Sequence, residues 1–225
     1  MSKRCVVFDL DGTLLDTLGE IAESGNAMLV EMGREPRPEA DYNLLAGQGL
    51  PYMVKNALRT EDDAEVERGC ELVQAYRAKM DGSAVQPFDG AAELLAKLAD
   101  AGWTLAVFSN KPHDEVIRQV AAYFPDIPFA SVMGARPDIP VKPHPAGLHE
   151  TLEIMGAGPE HTVYVGDTAA DMKVGTAVGA WNIGVLWGFR DEDELRTHGA
   201  HDIVEELADL ADAIEAGHAR HVAVA

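Results

Sequence analysis

The chain has 225 residues, 47% of them apolar and 25% charged, room for one large domain or one domain carrying a smaller insert. Acidic residues outnumber basic ones 38 to 18, a formal charge of −20, which excludes nucleic acid and anionic membranes as natural partners. No apolar run approaches the roughly 20 residues of a bilayer span, and Met1-Ser2-Lys3-Arg4 reaches Asp9 and Asp11 too soon for a secretory leader to be expected. The two cysteines, Cys5 and Cys70, read as unpaired buried thiols, and the expected compartment is cytoplasmic.

The first element in chain order is the strand Cys5–Phe8, apolar and β-branched, closing on Asp9. Residues 17 to about 86 then carry helical patterns and no convincing strand. Ile21, Met28, Leu29 and Met32 form one stripe that stops at Gly33, and Pro51–Leu58 makes a short helix. Thr60 to Met80 reads as a long helix, with Thr60 as N-cap and Glu61, Asp62 and Asp63 in its first turn. The dense acid there reads as capping and solvated surface rather than a metal site. Alternation resumes at Pro87-Phe88-Asp89-Gly90, where Asp89 is placed to cap the helix Ala91–Ala101. Next come the strand Thr104–Phe108, a helical face of Val116, Ile117 and Val120, and the strand Phe129–Met133. Helix Ala146–Met155, with Pro145 suited to a first turn, precedes the strand Thr162–Val165. Helix Ala169–Val178 and the strands Trp181–Leu186 and Asp202–Val204 complete the sheet. The tail from Gly217, with His218 and His221, reads as a frayed end without metal ligands.

Strands alternating with helices predict a doubly wound α/β parallel sheet. The core is expected in residues 1–16 and 87–225, with an all-helical cap, residues 17–86, inserted after the first strand. In such a sheet ligands bind beyond the carboxyl ends of the strands. Four polar groups stand there: Asp9-Leu10-Asp11-Gly12-Thr13, Ser109-Asn110-Lys111, Lys142, and Gly166-Asp167-Thr168-Ala169-Ala170-Asp171.

Their chemistries complement one another. Asp9, Asp167 and Asp171 offer hard oxygen ligands for Mg²⁺, and a cation relieves the repulsion among them. Asp9 can serve as a nucleophile, because carboxylates form acyl-phosphates. Asp11 can donate a proton to a leaving oxygen and later take one from water. Ser109 and the Asn110 N–H can hold a phosphate oxygen, and Lys142 can balance the charge of nucleophile and phosphoryl group. Taken singly these residues read as an Asp-Gly turn, a helix cap, a surface lysine and a helix-surface charge. Four of them at successive strand ends do not.

These segments resemble the four motifs of the haloacid dehalogenase superfamily, and the resemblance covers almost the whole chain. It implies an aspartyl-phosphate on Asp9 and acid–base work by Asp11. It also implies magnesium on the Asp9 carboxylate, the Asp11 main-chain carbonyl and Asp167, with Asp171 assisting through water. The aspartate at position 11 matches the phosphatase and phosphomutase branches. Leu14-Leu15-Asp16-Thr17, Gly47-Gln48-Gly49-Leu50-Pro51, Ser109-Asn110-Lys111-Pro112, Lys142-Pro143-His144-Pro145 and Trp187-Gly188 further resemble bacterial phosphoglycolate phosphatases. The substrate implied is a small phosphorylated metabolite, 2-phosphoglycolate, on a monomer or homodimer. Thr13, Asn110, Gly47, Gln48 and Gly49 are then substrate contacts, with Lys55 and Arg59 as auxiliary cations. Another sugar phosphate, a pyrophosphate or a phosphomutase reaction is the alternative. A non-enzymatic phospho-acceptor domain is disfavoured by Asp11.

Overall fold

A computed structural model describes residues 3–224; Met1, Ser2 and Ala225, at the outer limits of the expected core segments, lie outside it. The strands are β1 (Cys5–Phe8), β2 (Leu15–Asp16), β3 (Gln86–Pro87), β4 (Thr104–Pro112), β5 (Phe129–Ala135), β6 (Thr162–Gly166), β7 (Trp181–Val185) and β8 (Asp202–Val204). The helices are α1 (Leu18–Glu31), α2 (Tyr42–Leu45), α3 (Leu50–Leu58), α4 (Asp63–Arg77), α5 (Ala91–Asp100), α6 (His113–Tyr123), α7 (Ala146–Met155), α8 (Ala169–Val178), α9 (Glu192–Thr197) and α10 (Leu210–Val224).

Among the described residues six strands form one parallel sheet in the order β5-β4-β1-β6-β7-β8. β1 is its centre, pairing Val6 with Leu105 on one side and Val163 on the other. Its four residues are fully buried because both faces are covered, which is why it is a continuous apolar run rather than an alternating one. Val6 and Phe8 face a core made with Leu94, Leu95 and Leu98 of α5, Val116 and Val120 of α6, and Ile214 of α10. Cys5 and Val7 face the opposite core, with Leu148 and Leu152 of α7 and Val174 and Val178 of α8. The chain leaves β1 to form β4 on one side and β6 on the other. Their carboxyl ends diverge there and open a crevice.

The helical segment has a core of its own. Ile21, Met28 and Leu29 of α1 pack with Met53, Val54 and Leu58 of α3 and Val73 of α4. Both connections to the sheet pass through one antiparallel ribbon, in which Leu15 pairs with Pro87 and Asp16 with Gln86. That short β3 is the strand the helical reading of this stretch omitted. One core residue, Phe189, joins the apolar cluster of the helical layer.

Several local expectations are corrected. The long helix is capped by Asp62, whose carboxylate accepts from the Ala64 and Glu65 N–H groups, while Thr60 accepts from the Asp62 N–H just upstream. Gly90 rather than Asp89 precedes α5, and its φ of +87° explains the glycine. Ile117 is 43% exposed and lies off the buried face of α6. The C-terminal segment is not frayed. α10 runs through Gly217, which is buried, and His218 packs edge-on to Trp103 at 5.2 Å. Cys5 is buried, Cys70 half-buried, and both are free thiols. Among the described residues no helix is long and apolar enough to cross a membrane.

Candidate active site

The crevice at the end of β1 gathers the expected carboxylates. The Asp9 N–H still donates to the Val165 carbonyl at 2.9 Å, so the sheet ladder holds its backbone. Asp9 Oδ1 accepts from the Leu10 N–H at 2.7 Å and lies 2.9 Å from Lys142 Nζ. Its Oδ2 has no partner among the described residues, and Asp9 lines a cavity between the sheet and the helical layer. Asp167 follows β6, with Oδ1 accepting from Thr13 Oγ1 at 3.0 Å and Oδ2 from the Phe189 N–H at 2.8 Å. Asp171, in the first turn of α8, is committed on both oxygens. Oδ2 accepts from the Thr168 N–H and hydroxyl, and Oδ1 from Lys142 Nζ at 2.7 Å and the Tyr164 hydroxyl at 3.1 Å.

Electrostatics makes this cluster unstable as it stands. Burial, and then the charge of Asp171, pushes Asp9 up to about 7, with Lys142 pulling the other way. Burial, then Asp171 and Asp9, holds Asp167 well above the usual carboxylate range. Burial opposes the Lys142 charge, but Asp171 and Asp9 outweigh it and push that ammonium up to about 12. One ammonium cannot balance three ionised carboxylates, so without a further cation the cluster holds protons in place of charge. Ligand atoms of Asp9, Asp167 and Asp171 lie within 4.8 Å of one another, a hard oxygen set suited to a divalent cation such as Mg²⁺. The cradle is also tight. A Cβ on Gly12 or on Gly188 would fall 2.4 Å from Asp167 Oδ2, so only glycine lets these two loops close on that carboxylate. The residues present therefore fit such an ion.

Next to this cluster lies a second buried ionic group that takes in Asp11. Lys111 Nζ donates to Asp11 Oδ1 at 3.0 Å and to Glu20 Oε2 of α1 at 2.5 Å, and Gln119 Nε2 of α6 donates to Glu20 Oε1 at 3.0 Å. Burial alone would discharge Lys111, but Asp11 and Glu20 raise its pKa instead. Arg77 of α4 pairs with Glu115 of α6 close by. The cavity is lined by Asp9, Asp11, Ser109, Lys111, Arg77 and the start of α3, with about 40 Å³ open to the centre of a water molecule.

A family model described as haloacid dehalogenase-like hydrolase matches residues 6–185. The chain belongs to that family. Phosphoglycolate phosphatase of Xylella fastidiosa is 34% identical over 210 residues, covering 90% of this chain and 89% of the relative. The enzyme of the same name from Haemophilus influenzae is 28% identical over 215 residues, covering 92% and 96%. Among solved structures, a protein from Lactobacillus delbrueckii subsp. bulgaricus superposes with a TM-score of 0.88 at 29% identity, covering 95% and 99%. A hydrolase from Pseudomonas syringae gives 0.79 at 22%, covering 95% and 99%, a likeness of fold.

Within this haloacid dehalogenase-like chain the expected site residues divide. Asp9, Asp11, Ser109, Asn110, Gly47 and Gly49 line the one cavity, and Lys142 and Asp167 stand directly behind it. Thr13 is fully buried with its hydroxyl on Asp167, so it orients that carboxylate and does not face the cavity. Gln48 is exposed and outside the lining. Asn110 spends its side chain as a clasp, donating to the Gly47 and Lys142 carbonyls at 3.0 Å each and accepting from the Lys142 N–H. Lys55 pairs with Glu61 at 2.6 Å and Arg59 is exposed, so neither reaches the cavity. Sequence reading missed the roles of Lys111, Glu20, Gln119, Arg77 and Glu115. The available signal was charge in otherwise apolar helix faces: Glu20 abuts Ile21, and Glu115 abuts Val116. It also missed Arg190, whose guanidinium donates to the carbonyls of Asn43, Leu44 and Ala46 at the end of α2.

Proposed function

We propose that the chain is a magnesium-dependent phosphatase acting on 2-phosphoglycolate or a closely similar short phosphate monoester, through an aspartyl-phosphate on Asp9. The observation that carries the reading is the pair at the end of β1. Asp9 keeps one carboxylate oxygen free over the cavity, and Asp11 stands two residues on, along the same wall. Asp9 Oδ2 attacks phosphorus while the ester oxygen departs and takes a proton from Asp11. A water then gives its proton to Asp11, attacks phosphorus and releases phosphate, which restores the Asp9 carboxylate. Ser109 and the Asn110 N–H hold a phosphoryl oxygen, and Lys142 favours the ionised form of Asp9. Asp9, Asp167 and the Asp11 carbonyl would hold magnesium, which when bound supplies charge stabilisation to the phosphoryl group. Asp171 serves this site through Lys142 and through the start of α8.

Residues 17–86 act as the cap, hinged on the β2–β3 ribbon and closing over the phosphoryl group to exclude bulk water. The relatives named phosphoglycolate phosphatase support the substrate. One chain supplies every residue named, so a monomer suffices. Phosphate release from a panel of phosphorylated metabolites, with Mg²⁺ and with excess EDTA, tests the reading. Phosphoglycolate should rank among the best substrates and EDTA should abolish turnover. Turnover undiminished by EDTA, or none with any ester, would refute it.

A further inference from the structure

One cation on the cavity wall has no part in that reading. Arg77 ends α4, its side chain is only 5% exposed, and it lines the same cavity as Asp9 and Asp11. Its Nε donates to Ser24 Oγ of α1 at 3.0 Å, and its Nη1 faces Glu115 Oε2 at 3.2 Å. These two contacts fix the guanidinium plane. The remaining nitrogen, Nη2, has no partner among the described residues. A guanidinium is charged at every working pH and offers five N–H donors. A substrate that covers the unused edge takes water from it at a cost in free energy unless it brings an acceptor.

We propose that Arg77 determines specificity: its open Nη2 edge receives an anionic group at the end of the substrate remote from phosphorus. This deepens, and rests on, the phosphatase reading, and it names the substrate class as a short phosphate ester carrying a carboxylate. The other cations do not compete for that role. Lys111 is held by two carboxylates, at 3.0 and 2.5 Å, and Lys142 by two more, at 2.9 and 2.7 Å. Arg77 has one, and the longest of these contacts. The cavity is lined by Ile21, Leu50 and Met53 as well as by polar groups, and with the Arg77 side chain 5% exposed a charge-assisted bond formed there is poorly screened. A neutral tail in the same place would leave the guanidinium edge unsatisfied. That penalty discriminates between tails of equal size, which the shape of the cavity cannot.

The competing role is that of a strut joining α4 to α1 and α6, and the test separates the two. The double variant Arg77→Met with Glu115→Gln removes the cation without stranding a buried carboxylate. Glu115→Gln alone breaks the strut and keeps the cation. kcat/KM is measured on 2-phosphoglycolate and on 2-hydroxyethyl phosphate, its neutral isostere. Binding of 3-phosphonopropionate and 3-hydroxypropylphosphonate is measured by calorimetry in parallel, because it needs no turnover. The double variant should lose about 10- to 100-fold on the carboxylate-bearing member of each pair, the worth of a hydrogen-bonded charge, and little on the neutral one. Glu115→Gln alone should keep the wild-type preference. Should the double variant fail to fold, Arg77→Lys, which keeps the charge and loses the fork, should show a smaller loss confined to the carboxylate compounds. Equal losses on both members of a pair would make Arg77 a strut and overturn the proposal while leaving the phosphatase reading intact. No wild-type preference for the carboxylate, in hydrolysis or binding, would overturn it as well. If neither ester is hydrolysed yet phosphonopropionate binding depends on Arg77, the phosphatase reading fails and the assignment of Arg77 stands.

Discussion

Replacing Lys142 by Met leaves a stem of similar length and removes the ammonium that faces Asp9 at 2.9 Å and Asp171 at 2.7 Å. Lys142 is 1% exposed, so water cannot take over its role. Breaking a buried pair from one side costs about 3–5 kcal/mol, because the partner charge stays behind. Here the partners can escape by taking up protons. Burial and the charge of Asp171 already push Asp9 up to about 7, and losing Lys142 removes the main influence in the other direction. A carboxyl whose folded pKa is raised binds protons that the unfolded chain does not, so folding stability falls as pH rises. In metal-free protein the Lys142→Met penalty should therefore be near its full value, about 3–5 kcal/mol, at pH 8. It should shrink by roughly 1.4 kcal/mol per unit of pH down to about pH 7, where wild-type Asp9 takes up its own proton, and change no further below that. Urea denaturation of wild type and variant at pH 8 and pH 5.5, in EDTA, reads both numbers. A penalty below about 1 kcal/mol at pH 8, or one that does not change with pH, would refute the claim that Lys142 holds this cluster together.

Asp9→Asn should fold at least as stably as wild type in the absence of metal, since it removes one member of a repelling trio, yet keep less than about 1% of turnover; denaturation and phosphate release check the two halves. Saturating Mg²⁺ should raise the melting temperature, by the equivalent of about 2.7 kcal/mol at one hundred times Kd, and Asp167→Asn should abolish the shift in a thermal melt. Thr13→Val should weaken Mg²⁺ binding seen by calorimetry by about tenfold, because Asp167 loses the hydroxyl that orients it at 3.0 Å. Gly49 sits at φ +92°, so Gly49→Ala should raise KM with every ester by straining the loop, with any further loss confined to phosphoglycolate assigned to the N–H groups at the start of α3.

Much of this architecture was legible because its signals are local. Strands β1 and β6 are short apolar runs that close on an aspartate, and both ends fall on the same edge of the sheet by topology. The helices between residues 18 and 77 were legible from their period. What failed to show was non-local or depended on choosing between equivalent local signals. Thr60 and Asp62 are both good N-caps, and the choice followed from where the backbone turns extended, at Asp62 with ψ 113°. Gly217 reads as a breaker, but a Cβ there would lie 2.7 Å from the Trp181 ring, so the glycine marks a close approach inside an unbroken helix. The pairs Lys111–Glu20 and Arg77–Glu115 join residues 91 and 38 positions apart, and no periodicity encodes such a meeting.

The short segment after β7 has a mechanical consequence. Phe189 donates its N–H to Asp167 and sends its ring into the apolar cluster of the helical layer, while the neighbouring Arg190 plugs the carbonyl end of α2. Lifting the helical layer thus extracts a ring from its apolar seat and unpairs several carbonyls in the same motion. Those contacts would be lost together or kept together, so a half-raised layer would gain little and any opening would be a toggle rather than a slow swing. The N–H on Asp167 and the ring in the helical layer belong to one residue, so the hold on that carboxylate and the seating of the layer would change together.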